Sequence, residues 1–329
     1  MTRSRDVADT QDNLGGAVAP YVAGKNKIIN GDFGIWQRGT TVSPVSSYGY
    51  TADRWQAFSY GTSTTTVSRQ TFTPASAPVA GYEGQYFARI NSTNNQVVFE
   101  NIIEDVRTIT PTQSFTVSFW ARSQTAGNNL TLTFVQNFGT GGSANVNTAI
   151  LTSQALTTGW VKYSATFTSP SVSGKTIGAN SRCDFSFLHP VNNYLELWGV
   201  QVEAGSVATP FATATGTIQG ELAAAQRYYW RNQSTTGFVV GDYYTSTRFF
   251  GAYKFPTTMR IAPSFAASGT TIATVYSNGS GRATTNIITG DISQDFGLVE
   301  FVTAAATAGH GGHVVCSTGS SYLEWSAEL

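Results

Sequence analysis

Short runs in which an apolar side chain alternates with a small hydroxyl side chain recur along most of this chain, and they leave it few possible folds. Phe115-Thr116-Val117-Ser118-Phe119 is the clearest case, Leu130-Thr131-Leu132-Thr133-Phe134 and Tyr163 to Phe167 repeat it, and Leu195 to Val202 alternates apolar residues with Glu196 and Gln201 in place of the hydroxyls. Successive side chains on an extended strand point to opposite faces, so each run has one apolar face and one wettable face. A helix of period 3.6 would scatter the same residues around its circumference. Many short strands of this kind, separated by Gly, Asn and Pro, predict an all-β protein: a jelly-roll β-sandwich, then a short connector helix and a second, smaller β-sandwich, preceded by an extended N-terminal arm.

The boundaries follow from changes in pattern. Residues 1–24 form the arm. Ser4 is placed to cap a short helix, Gly15-Gly16 to end it, and the stretch to Gly24 contains Pro20 and no periodicity. It has too few apolar residues to fold alone, so another subunit or another protein is expected to hold it. Residues 25–212 are the jelly roll. Residues 213–231 contain the alanine run Leu222-Ala223-Ala224-Ala225, with Thr217 as N-cap, and are the connector helix. Residues 232–329 return to strands, at Gly237 to Val240, Arg248 to Phe250, Ile272 to Tyr276 and Gly297 to Phe301, with Asn278-Gly279 as a hairpin turn.

Composition narrows the partners. Only 12% of the 329 residues are charged and the formal net charge is zero, against roughly 25% charged in an ordinary soluble protein. A nucleic-acid binder needs clustered Lys and Arg, and the sequence has no such cluster. No run approaches the ~20 apolar residues that cross a bilayer. Neither nucleic acid nor membrane insertion is therefore expected. The opening Met1 to Asp6 lacks the apolar stretch of a secretion signal, so an extracellular role implies release by cell lysis. Cys183 and Cys316, far apart in sequence, are expected as buried free thiols and not as a disulfide framework.

One set of motifs goes further. Asn26-Lys27-Ile28-Ile29-Asn30-Gly31-Asp32-Phe33 leads to Trp36-Gln37-Arg38-Gly39, then Tyr50-Thr51-Ala52-Asp53-Arg54-Trp55, Val67-Ser68-Arg69-Gln70, Phe119-Trp120-Ala121-Arg122 and Leu197 to Phe211, followed by Ala225-Gln226-Arg227-Tyr228-Tyr229. In that order they resemble a domain of bacteriophage tail-fibre-like, receptor-binding virion proteins, itself similar to the jelly roll of carbohydrate-binding modules. The resemblance spans about residues 25–230. Phe255 to Pro263 and the ending Trp325 to Leu329 also resemble fibre head domains.

The resemblance implies a homotrimeric structural protein of the virion. Its arm would dock on another virion protein through Arg3, Arg5, Val7, Leu14, Val18, Tyr21 and Val22, and its β-domains would bind a host cell-surface glycan or protein. Exposed aromatics of the C-terminal knob, Tyr243, Tyr244, Tyr276 and Tyr322, are the expected glycan contacts. Carbohydrate-binding jelly rolls often hold a structural calcium between the first and last strands, so Asp32 and Glu203 are either calcium ligands or two surface carboxylates. No other cofactor is expected. A capsid-decorating or head-fibre role and a glycan-degrading appendage are the alternatives.

The remaining constellations read as structural. Trp55, Trp120, Trp160 and Trp198 are expected as core pillars, with an exposed sugar platform as the other use of an indole. Arg54 is set to pair with Asp53 or stack on Trp55. His310, His313 and Cys316 form either a Gly-rich turn or, if a loop gathers them, a soft-metal cluster. Glu104-Asp105 would point to opposite faces of a strand, and no Gly-x-Ser-x-Gly elbow, Walker loop or His-Glu-x-x-His is present. The expectation is a protein that is not an enzyme.

Overall fold

The computed structural model describes residues 23–43, 48–60, 64–79, 84–93, 96–189, 193–233 and 239–329. All seven docking residues expected of the arm, Arg3 to Val22, lie outside the described residues. The chain divides into two compact units, the first running to Leu222 and including Leu329, the second Ala223–Glu328.

The first unit is a pair of six-stranded sheets. In the first sheet β1 (Thr41–Val42), β4 (Thr64–Thr71), β5 (Tyr86–Thr93), β12 (Asn193–Ala204), β7 (Ser114–Ser123) and β10 (Val161–Thr168) lie side by side in that order. In the second the order is β2 (Gly49–Tyr50), β3 (Trp55–Ser59), β6 (Val97–Glu104), β11 (Arg182–His189), β8 (Asn129–Asn137) and β9 (Val146–Ala155). Every pairing is antiparallel. The alternation read from the sequence sorts the side chains: Phe115, Val117 and Phe119 of one sheet and Leu130, Leu132, Phe134, Phe185 and Phe187 of the other share one buried core. Trp55 lies in it, stacked on Phe99 at 4.9 Å between ring centroids. Each such ring contributes about 2–3 kcal/mol by leaving water.

The other tryptophans are a correction. Leu197 and Ala121 point into the core, so their neighbours Trp198 and Trp120, paired across β12 and β7, point out of the sandwich. There Trp198 is fully buried in a second cluster with Phe72, Phe87 and Phe211, and half-buried Trp120 and Trp160 pack against it.

The Asn26–Phe33 motif forms no strand. It is a buried lacing of the sandwich. Asn26 accepts from the amides of Ile28 and Val202 and donates to the carbonyls of Val200 and Ala212. Asn30 sits in the left-handed region at φ 59°, a conformation asparagine tolerates better than most residues. Its side chain accepts from Ile35 and donates to Ile35 and Asp53 carbonyls, and its own carbonyl accepts from the Trp55 indole. A Cβ on Gly31 would fall 2.2 Å from the Val200 carbonyl oxygen, so only glycine permits this approach. Arg54 donates to the Ile102 carbonyl across β6, while Asp53 accepts from the backbone and side chain of Gln37.

Helix α1 (Ile218–Gln226) is the expected connector, and the boundary between the units falls within it. Thr217 caps it by accepting from the Gly220 amide at 3.1 Å. Glu221 turns inward and accepts from the amides of Asn30 and Thr215.

In the second unit the expected smaller β-domain is present, but its main sheet is closed. Strands β14 (Val239–Tyr243), β15 (Arg248–Lys254), β19 (Phe296–Thr303), β18 (Ser280–Ile292), β17 (Ala273–Ser277) and β20 (Gly311–Cys316) form a barrel. A three-stranded sheet of β13 (Tyr229–Asn232), β21 (Leu323–Ser326) and β16 (Ser264–Ala267) adds Trp325 to the same core as Val239, Phe249, Val275 and Phe301. The long strand β18 shifts register against β19 twice, between Thr284 and Asn286 and between Thr289 and Ile292, and such irregularities bend a sheet.

Asn30→Ala removes three side-chain hydrogen bonds and strands their buried partners. We expect a loss of about 3 kcal/mol or more in the first unit, read as a lowered urea midpoint; an unchanged midpoint would show that the lacing is dispensable.

Candidate functional site

The outer face of the second sheet gathers groups that ordinary sheet surfaces keep apart. Because Trp55, Ala57, Phe99, Phe185 and Phe187 point inward, Gln56, Phe58, Glu100, Asp184 and Ser186 point outward. The register sets Tyr50, Gln56, Glu100, Ser186 and Thr133 in one row across five strands. The next row holds Phe58, Val98, Leu188 and Thr131, and on the other side Asp184 lies between Ile102 and Val135.

Glu100 is only 5% exposed. Its carboxylate is held in place by the Gln56 amide at 2.6 Å and by the Ser186 hydroxyl. Asp184, one pair further along, meets Arg182 at 3.0 Å. Burial pushes the Asp184 carboxyl from 3.8 up to about 7, with the Arg182 guanidinium opposing this and the nearby Glu100 charge adding to it. Around neutrality Asp184 is therefore shared between its neutral and charged forms, within a buried polar network of Gln56, Glu100, Ser186 and Arg182 in which Asp184, Gln56 and Glu100 are each no more than 5% exposed.

An aromatic edge flanks this polar row. Tyr48 stacks on Phe58 with centroids 4.5 Å apart and planes 16° apart, and Tyr60 meets Phe58 edge-on at 5.0 Å. Tyr48 and Tyr60 are 59% and 50% exposed. Partial burial, then the Glu100 carboxylate, raise the Tyr48 phenol above its ordinary pKa, which places that phenol at the polar row. On the opposite sheet the outer face is closed by structure: Glu196, fully buried, is clamped by Arg89 and Arg122, and Arg122 lies over the Trp160 ring.

The residues singled out in the sequence fare unevenly. Tyr243 is a correction: it is fully buried, because Val239 and Tyr243 share the inward parity of β14, and its hydroxyl bonds Thr303 at 2.8 Å. Tyr244, the next residue, is 74% exposed and meets Phe250 edge-on. Tyr276 is 44% exposed. Tyr322 is half-buried, with the Arg231 guanidinium 3.8 Å from its ring centroid. The three accessible tyrosines do not form one surface row, since Tyr276 pairs across β20 while Tyr244 and Tyr322 lie outside the barrel strands.

The calcium pair is not assembled. Glu203 is 1% exposed and its oxygens are taken by Thr209, Gln201 and the Lys25 ammonium at 3.3 Å, so a lysine supplies the positive charge a metal would bring. Asp32 instead accepts from the Gly34 amide. These residues do not fit a calcium site, and among the described residues no group of three His, Cys, Asp or Glu side chains converges. His313 is exposed while Cys316 is buried, because three residues along a strand reverse the face, so the soft-metal cluster does not form. Cys183 and Cys316 are both free and buried, as expected. Asp105, at φ 66°, turns away from Glu104 and pairs with Arg107.

Sequence reasoning missed the outer face. One signal was available: Glu100 and Asp184 each interrupt a strongly apolar strand, and a carboxylate there must be partnered.

No family model and no curated protein matches the chain. Among solved structures it is similar to the CBM22-1 xylan-binding domain of Paenibacillus barcinonensis Xyn10C, at 12% identity over 57% of this chain and 100% of that one, with a TM-score of 0.33. It is similar to the enzymatically active domain of tailspike protein 4 of bacteriophage CBA120 at 15% identity, over 55% of this chain and 22% of that one, with a TM-score of 0.36. The carbohydrate-binding module TmCBM61, solved with β-1,4-galactotriose, aligns at 13% identity over 55% and 99%, with a TM-score of 0.32. Likenesses this shallow assign no ligand.

Folded Asp184 keeps its proton to about pH 7 whereas an unfolded aspartate loses it near 3.8. The stability this supplies is complete below about pH 4 and is lost as pH rises through 7. Asp184→Asn, always neutral, should therefore melt higher than the parent at pH 8, by something of the order of 3 kcal/mol or less, and the two curves should converge towards pH 4. A constant offset across that range would refute the assignment.

Proposed function

We propose that this chain is a non-enzymatic, carbohydrate-binding structural protein of a phage particle, a tail fibre or similar appendage, with the outer face of the second sheet as its glycan platform. The virion role rests on the ordered motifs from Asn26 to Tyr229 and on a surface nearly devoid of charge runs. The glycan role rests on one observation: the exposed Tyr48–Phe58–Tyr60 edge runs beside the Gln56–Glu100–Ser186 row. A sugar ring has an apolar C–H face and a rim of hydroxyls. It needs an aromatic surface for the first, here Tyr48 and Tyr60 flanking Phe58 of β3, and donors and acceptors for the second, here the half-buried Tyr50, Ser186 and Thr133 of the row, which the buried Gln56 and Glu100 hold in place.

The same geometry favours binding over cleavage. Glycoside hydrolysis places two carboxyls on opposite sides of the scissile bond. Here Glu100 and Asp184 lie on neighbouring strands of one face, and both Glu100 oxygens are already engaged. Single contacts of this kind are weak. A homotrimer docked on the particle through residues 1–24 would raise them by avidity.

Applied to a host-derived glycan array, the intact protein is expected to bind a defined set of glycans, and Tyr48→Ala with Phe58→Ala to lose at least tenfold in affinity with an unchanged melting temperature. Full binding by that double variant would remove the platform, and release of shortened sugar chains would remove the non-enzymatic reading. Antibody labelling of the phage particle should mark an appendage; labelling spread over the capsid shell would favour a decoration protein.

A further inference from the structure

We propose a second saccharide site, on the barrel wall of the second unit, formed by Tyr276, His313 and the glycine floor at Gly311. It shares with the reading above only the class of ligand.

The site follows from strand parity. Val275, Val314 and Val239 point into the barrel core, so Tyr276, His313 and Val240, their neighbours in sequence, point out. The register aligns Gly281, Tyr276, His313 and Val240 in one row across four strands. The hairpin Asn278-Gly279, both in the left-handed region at φ 49° and 72°, ends the row's strands sharply.

Two absences of a side chain shape the surface. A Cβ on Gly281 would lie 2.8 Å from the Tyr276 ring, so the ring leans across the bare strand beside it. An aromatic laid over a cross-strand glycine is a known way of fixing its orientation. The His313 ring stacks against it on the other side, with centroids 5.5 Å apart and planes within 16° of parallel. Beside this stacked pair Gly311 faces outward with only the Gly241 carbonyl oxygen, at 3.7 Å, near its missing Cβ. The resulting pocket has a volume of about 400 Å³ and is lined by Tyr276 to Gly279 and Gly311 to His313. That is within the range of small-molecule sites.

The polar groups suit a sugar. Asp242 is exposed and stands beside Gly311 on the same outward face, paired across β14 and β20. With Asn278 at the turn, a carboxylate and an amide flank a floor of backbone, where no bulky side chain keeps a ring away. A stacked aromatic pair, a bare floor and two short hydrogen-bonding side chains suit a pyranose lying against them. A phosphorylated ligand such as a nucleotide would call for a Lys or Arg, and neither lines this pocket.

The test compares four proteins: the parent, Tyr48→Ala, Tyr276→Ala and Gly311→Leu. The last fills the pocket without crowding the fold, since its Cβ meets only ordinary contact distances. Each is titrated with glucose, galactose, mannose and N-acetylglucosamine, and with the best array glycans, by saturation-transfer NMR, with melting temperatures measured alongside. We expect Tyr276→Ala and Gly311→Leu each to lose at least tenfold for one ligand that Tyr48→Ala still binds, at parental melting temperature. Parental binding of every probe by Gly311→Leu overturns the barrel site while leaving the sandwich face standing. Loss in Gly311→Leu with none in Tyr48→Ala supports the barrel site and removes the sandwich face. Absence of any binding by the parent overturns both.

Discussion

Hydrogen bonds made by Asn26 and Asn30, through their side-chain amides and the Asn30 carbonyl, hold the sandwich in register, and the candidate glycan face depends on them. Asn26 joins the segment before the first strand to the carbonyls and amides of β12, and Asn30 joins it to Ile35, Asp53 and Trp55. Trp55 begins β3, so its anchoring fixes which residues of that strand face in and which face out. If the strand slipped by one residue, Gln56 and Phe58 would enter the core and the polar row and aromatic edge would disappear together. A motif that resembles a family signature is thus structural in its own chemistry, and it acts on the outer face only through strand placement.

Charge is scarce in this chain, and much of what there is has been taken inside. Glu196 sits between two arginines, Glu203 is neutralised by Lys25, and Asp184 answers burial by keeping its proton. Removing one partner of a buried pair typically costs about 3–5 kcal/mol, because the other charge is left without solvent or counter-charge. Glu196 in this way commits β12 to β5 and β7, and Glu203 ties β12 to the segment at Lys25, while the exposed surface stays mainly Ser, Thr, Asn and Gly.

Much of this was legible in sequence. Alternation gave the all-β class and the facing of β7 and β8, and Thr217 gave the start of the helix, whereas in β12 a register shift between Trp198 and Gln201 reverses the alternation. What was not legible depends on partners distant along the chain. Glu203 looked like a metal ligand because nothing near it in sequence announces Lys25. Tyr243 and Tyr244 looked equivalent until the barrel fixed which of the two is inside. A hairpin pattern reads the same whether its sheet is open or closed, so the closed ring of six strands had no signal in the sequence. Trp198 and Trp120 were read as core because size suggests burial, whereas their alternation with Leu197 and Ala121 already placed them outside.

The closed barrel has a consequence for crowded surroundings. An open sheet ends in a row of unpaired amides and carbonyls that a neighbouring chain can match, and densely arrayed copies of such a sheet tend to stitch together. In a ring of six strands each strand is already bonded on both flanks. The barrel itself then offers a neighbouring chain no backbone edge to pair with, and what its wall presents is decided by side chains alone.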